Sequence, residues 1–325
     1  MIIATTHLKE QHTMNATKKS LLAAGLIAGL GLAGAAQAST FASAILDINN
    51  FRLLHSNGSA FSTADFAVLT GTNDAHATGS LNGVFANGAQ SFGILSGTTP
   101  DVPHQCVGAP CPALAENNFA PFPFPPPVPG TFGYADQNLS GASITIGATP
   151  AGAHAQTRAD ASLGSNGVAS GNSDVGTSTT FNFTLGAADS MTISFDATPF
   201  SQAYVSLGSG PTANANARIS WSINIRDLST GGGTIFDFTP SELNGLSAVS
   251  RTDGLPGITT YNAALTSFAL SSTTGLLNAT DTYQITIQHN TLANALQQQV
   301  PEPATLAVFA AGLLGMSLVS RRRGR

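Results

Sequence analysis

The chain has 325 residues and a formal net charge of −5, but residues 39–300 alone hold five arginines, no lysine and fifteen Asp or Glu, a net of −10. So acidic a stretch repels phosphate backbones and anionic headgroups, which excludes a nucleic-acid-binding role. Few charges among abundant Ser, Thr, Asn, Gly and Ala suit an exported surface that interacts through hydrogen bonds.

The N-terminus reads as a processing segment. From Met14, Lys18 and Lys19 supply a basic region, Leu21 to Ala35 an apolar one, and Ala36-Gln37-Ala38 a small-x-small cleavage site. Residues 1–13 add nothing a signal needs, so Met14 is the expected start. Residues 1–38 are therefore read as a signal peptide for the Sec machinery and signal peptidase, with Ser39 as the mature N-terminus.

The mature region alternates with a period of two, the signature of strands with one buried and one wet face. Ile219, Trp221, Ile223 and Ile225 give the cleanest case. Phe181, Phe183 and Leu185, then Met191, Ile193 and Phe195, then Tyr283, Ile285 and Ile287 repeat it. Further strands are expected over 44–54, 64–69, 79–85, 143–146, 204–207, 234–238 and 261–270, with Gly231-Gly232-Gly233 as a hairpin connection. Residues 168–178 read as a loop or a flat edge strand. Turn residues punctuate these runs and amphipathic helices are absent, which predicts an all-β, antiparallel β-sandwich or jelly-roll-like domain over 39–289.

Two stretches break the pattern. Residues 97–140 hold ten of the seventeen prolines and are expected to form an extended polyproline-II surface insertion. Within it, Cys106 and Cys111 flank Val-Gly-Ala-Pro, and export to an oxidising compartment predicts a local disulfide. Residues 290–299 read as a linker or frayed helix leading to the tail.

At the C-terminus, Val300-Pro301-Glu302-Pro303 precedes seventeen apolar or small residues, 304–320, and then Arg321, Arg322, Arg323 and Arg325. Seventeen helical residues span about 25 Å, the lower end of what a bilayer core needs. The arginines hold their end on the cytoplasmic side, and the prolines keep the preceding segment extended. At these residues, 300–325, the chain resembles the PEP-CTERM family. The resemblance implies processing by an exosortase, a membrane cysteine transpeptidase-like enzyme, near Pro301-Glu302-Pro303. It also implies a Gram-negative, exopolysaccharide-producing host, transient anchoring in the inner membrane, and delivery to the cell surface or biofilm matrix.

No catalytic constellation is legible. His55, His76, His104, His154 and His289 have no ligand spacing and read as surface or turn residues, and neither HExxH nor Gly-x-Ser-x-Gly occurs. Asp196, Asp227, Asp237 and Glu242 are the carboxylates considered for glycan hydrolysis, and their places at strand ends suit turns. Asn73-Asp74 and Asn172-Ser173-Asp174 offer loop oxygens that suit calcium, without a recognisable motif, so no cofactor or metal site is assigned. The expected function is a non-catalytic surface or matrix protein associated with exopolysaccharide. The alternative is a carbohydrate-binding module or adhesin, with Phe119 to Phe124 as its available aromatics and Trp221 in the core. A secreted hydrolase ranks third.

Overall fold

The computed structural model describes residues 39–109, 111, 116–122, 130–175, 179–206, 212–229, 231–250 and 256–298. The signal peptide, with Ala36 and Ala38, lies outside the described residues, as do Val300 to Pro303 and the arginine cluster.

The chain alternates between two antiparallel sheets along its length. Strand β1 (Thr40–Leu54) opens sheet I, and β2 (Phe66–Leu81) and β3 (Val84–Gly93) start sheet II. Strands β4 (Gln105–Ala109), β5 (Thr131–Ser140) and β6 (Ala153–Leu163) return to sheet I, and β7 (Gly167–Val175) and β8 (Thr179–Leu185) belong to sheet II. Strand β9 (Asp189–Val205) is in sheet I, followed by β10 (Asn214–Asp227), β11 (Gly233–Phe238) and β12 (Leu246–Ser250) in sheet II. Strands β13 (Gly257–Tyr261) and β14 (Phe268–Leu277) line the edge of sheet I, and β15 (Tyr283–Gln297) completes sheet II. Sheet I has the order β13-β9-β1-β6-β5-β4, with β14 also on β9. Sheet II has the order β11-β10-β15-β7-β2-β3, with β12 on β10 and β8 between β15 and β2. This is the all-β antiparallel sandwich that the alternation predicts, with a jelly-roll-like exchange between sheets.

The inward-facing residues grade in size along the strands, and the registers place like with like. At one end, Trp221 packs on Phe195 at 4.6 Å, with Phe238 and Phe51 edge-on to it, and Phe183 lies against Tyr283 and Phe66. At the other end the core is mostly alanine, closed off by Leu163 and Val205 opposite Thr40. Ala42 pairs with Ala161 and Ala203, and Ala215 pairs with Ala295, which pairs with Ala169. The sheets are therefore held apart by rings at the wide end and come together at the narrow end.

Glycine carries this approach to its limit. A Cβ on Gly133 of β5 would lie 2.1 Å from the Ser80 carbonyl oxygen and 2.2 Å from that of Ser170, both in sheet II. One on Gly171 of β7 would meet the Tyr134 carbonyl at 2.0 Å, and one on Gly79 of β2 that of Gly133 at 2.6 Å. Real Cβ atoms do not approach backbone so closely, so only glycine fits at this seam. Polar side chains bridge the sheets around it. Ser173 donates to the Asp136 carbonyl at 2.6 Å, Ser201 and Ser247 share a bond of 2.8 Å, and Thr40 donates to Gln297 at 3.2 Å. In mid-sandwich His289 meets the Thr157 hydroxyl at 3.0 Å and bonds the Leu46 backbone. Burial pushes its pKa down to about 3, against the smaller opposing pull of that backbone bond, so it is neutral.

Several expectations are corrected here. Residues 290–297 are the second half of β15, inside sheet II, and not a linker or frayed helix. Thr291, Ala293, Ala295 and Gln297 are buried, but the run is small and polar enough to hide its periodicity. Residues 168–175 form an interior strand between β15 and β2 rather than a loop or an edge. The expected strand over 79–85 is the end of β2, an Asn82-Gly83 turn with positive φ at both residues, and the start of β3. The run 143–146 makes only isolated bridges, and 261–270 contains the bend between β13 and β14. The stretch 97–140 is not structureless, because β4 and β5 lie within it. His289 is a core residue, not a surface one.

The seam predicts an asymmetry between glycines. Gly133→Ala should destabilise by about 3 kcal/mol or more in urea unfolding, while Gly233→Ala should stay within about 0.5 kcal/mol. Neither glycine has a positive φ, and Gly233 has open space around its Cα, so the contrast isolates the close approach.

Candidate functional site

The outer face of sheet I is covered at β5 and β6 by the chain's own insertion. Phe132, Tyr134 and Asp136 on β5 stand beside Ser162, Asp160 and Arg158 on β6, and all six are buried. Arg158 donates through Nε to Asp160 and through Nη1 to the Asn118 and Ala120 carbonyls, at 2.7 and 2.9 Å. Its guanidinium lies over the Phe122 ring at 4.7 Å, and Phe122 meets Phe41 edge-on. Asp136 accepts from the Asn117 backbone N–H at 2.8 Å and from the Tyr134 hydroxyl at 3.0 Å. Residues 116–122 are thus strapped onto the sheet by charge-assisted bonds and ring contacts. The Cys106–Cys111 disulfide, with Cα atoms 5.8 Å apart, packs beside Phe132 and Tyr134 at the same place.

Burial pushes the Asp136 carboxyl up to about 6. The Glu116 charge adds to this, and the bonds from Tyr134, Asn117 and Gln137 oppose it. Burial, with Asp136 beside it, also raises the Tyr134 hydroxyl. Among the described residues, Asp136 Oδ1, Asp160 Oδ1 and Arg158 Nη2 find no hydrogen-bond partner. The paired carboxylates that sequence reasoning missed are therefore sealed and bound to structural partners. Phe122, expected to be available to ligands, is half-buried in this packing, and Phe119 is likewise only partly exposed. Phe124 lies outside the described residues.

The outer face of sheet II is open. Its strands present Ser, Thr, Asn and Gln in register, tied across the sheet by their side chains. Asn290 donates to Asn172 at 2.7 Å, Ser222 to Gln288 at 3.2 Å and Gln284 to Asn182 at 3.2 Å, and Ser80 meets Ser170 at 2.7 Å. Toward β11 this face deepens into a groove of about 520 Å³, lined by Ser220, Ser222, Asn224, Arg226, Thr234, Asp237, Thr239, Asn244 and Gln288. Asn244 pins one wall, the turn between β11 and β12, by accepting from the Trp221 N–H at 3.3 Å and donating to the Trp221 and Pro240 carbonyls at 2.9 Å. Arg226 is steadied by the Gly232 carbonyl at 2.9 Å. The groove offers both donors and acceptors, little net charge and no aromatic ring.

The other residues singled out from the sequence do not converge. Asp196 is on β9 in sheet I, Asp227 and Asp237 are on β10 and β11, and Glu242 is in a single 3-10 turn, so no pair faces a common space in the groove. The oxygens considered for calcium lie on strands, not loops. Asp174 pairs with His76 at 2.9 Å, and Asp74 accepts from Ser91 and Thr72. Among the described residues no group of three or more His, Cys, Asp or Glu could hold a metal ion. His55, His104 and His154 also pair with carboxylates, of Asp65 and Asp189, Glu116, and Asp47 respectively. At the His55 clamp the Ser56 hydroxyl leads in holding Asp189 below the usual carboxylate range. At Asp65 burial works upward but is outweighed by Ser62 and His55.

These features define an antiparallel sandwich with one face closed over β5 and β6 by its own insertion and the other polar and open. Comparison with known proteins supplies the address. Residues 299–323 match the PEP-CTERM protein-sorting motif, consistent with a PEP-CTERM sorting domain at that end of the chain. The motif implies export, membrane-anchored transit and processing by an exosortase. No curated protein and no solved structure matches the chain.

The Asp136 environment makes a pH prediction. Its folded pKa lies above the ordinary 3.8, so its contribution to stability is complete below about pH 4 and is lost as pH rises through about 6. Asp136→Asn removes the titration and keeps an acceptor. Between pH 4 and 7 the wild type should therefore lose on the order of 2–3 kcal/mol relative to the variant in urea unfolding. Parallel stability curves would contradict this.

Proposed function

We propose that the protein is a non-catalytic component of the cell surface or biofilm matrix, associated with exopolysaccharide through the outer face of sheet II. The groove beside β11 carries this reading. Sugar hydroxyls both donate and accept, and a trough of hydroxyl and amide side chains with one arginine and one carboxylate matches them. The net charge of −10 on residues 39–300 disfavours a strongly anionic polymer and favours a neutral or weakly charged one. A non-catalytic role is supported by Asp237 being the one carboxylate among the groove's lining residues, since glycoside hydrolysis uses two. The sorting motif supports delivery to a surface where such a polymer is met.

Each hydrogen bond in such a site contributes about 0.5–1.5 kcal/mol, so removing three should be readily measured. The combined variant Ser222→Ala, Asn224→Ala, Gln288→Ala should cosediment with host exopolysaccharide at least about tenfold more weakly than wild type, with unchanged thermal unfolding. Unaltered cosedimentation would remove the groove's claim.

A further inference from the structure

The open face of sheet II changes character at its narrow end. Phe85, Val168 and Leu296 are exposed there, Phe85 by 63%, while Val84, opposite the core-facing Leu81, points to the other face. Leu296 and Val168 are direct cross-strand partners. Val84 and Phe85 begin β3, whose partner β2 pairs with β7. Residues paired with this rim are uncharged: Asn214 opposite Leu296, Ser80 opposite Phe85, and Asn82 bonded to Val168. Among the described residues, this group of exposed apolar side chains has no charged cross-strand partner and stands apart from the polar ladder beside it.

Both chain ends leave from this same end of the sandwich, since Thr40 near the start of β1 bonds Gln297 at the end of β15. From Gln297, seven residue steps reach Ala304, where the apolar run of the tail begins. Even fully extended they span about 25 Å. While the tail is in the membrane, the narrow end therefore cannot move far from the bilayer surface.

We propose that this rim is a lipid-contacting surface, and that the precursor rests on the outer leaflet through Phe85, Val168 and Leu296 until its tail is cut. The proposal rests on the reading of residues 304–320 as a membrane segment. Anionic headgroups repel the domain as a whole, which confines contact to this uncharged corner. Loss of the tail leaves only three side-chain contacts, too few to hold the domain on lipid, so cleavage releases it.

The test uses the full-length precursor, disulfide intact, reconstituted in vesicles of phosphatidylethanolamine and phosphatidylglycerol at about 3:1, a bacterial-type anionic composition. Phe85→Cys and Thr280→Cys, the second an exposed position in the turn preceding β15, are each labelled with an environment-sensitive fluorophore. Trp221 emission reports that each variant is folded. Nitroxide lipids should quench the probe at 85 about threefold more than the probe at 280. Equal quenching on vesicles that carry the protein through flotation would overturn the rim proposal alone. A precursor that fails to float with the vesicles would overturn the membrane reading of the tail, and the rim proposal with it.

Discussion

The contact on which the rest of the structure depends is the meeting of two backbones at Gly79, Gly133 and Gly171. Side chains normally keep packed sheets about 10 Å apart. Here β5 lies against β2 and β7 with no room for a Cβ, so one end of the sandwich is closed almost to backbone contact. Alanines fill most of the rest of that end, with Leu163 and Val205 at its limit, and the aromatic cluster around Trp221 and Phe183 opens the other. The gradient from ring to methyl along β1, β10 and β15 is one constraint written on three strands. It also fixes which ends of the chain lie together.

The seam brings β5 and β6 into a position where both of their faces are covered. Their inner face meets sheet II, and their outer face meets residues 116–122, held by Arg158, Asp136 and the ring contacts of Phe122. The proline-rich stretch is thereby part of the packing on both flanks, and the disulfide secures its start. Sheet II has no such cover among the described residues. Its wet face is free to present the ladder of amides and hydroxyls, the groove and the apolar rim.

Strands with large alternating residues were legible from sequence, as at Ile219 to Ile225, because burial on one face leaves a period of two. Three features escaped for identifiable physical reasons. Residues 290–297 alternate Ala with Asn and Leu, and the small core positions of a closed seam carry no hydrophobic signal. Strand β6 was not among the expected strands, because Ala159 and Ala161 give no apolar signal and the face of Arg158, Asp160 and Ser162 is buried only by a segment forty residues earlier in the chain. The Asn82-Gly83 pair was a visible hairpin signal inside an expected strand, and its weight as a turn exceeds that of the flanking apolar residues. The sorting tail, by contrast, needs no fold to be read. Its motif, apolar run and arginines are contiguous, and the match over 299–323 rests on that order. The groove was not legible, because its members come from β10, β11, β15 and a turn.

Residues 290–297 lie within sheet II between β10 and β7, although they stand just before the sorting motif and read locally as a linker. Native-state hydrogen exchange across a urea series tests this most directly. The amides of 290–297 should open only by global unfolding, with the same free energy as those of β10 around Trp221. Exchange through a local opening of low free energy, as a linker would show, would contradict the seam and the architecture built on it.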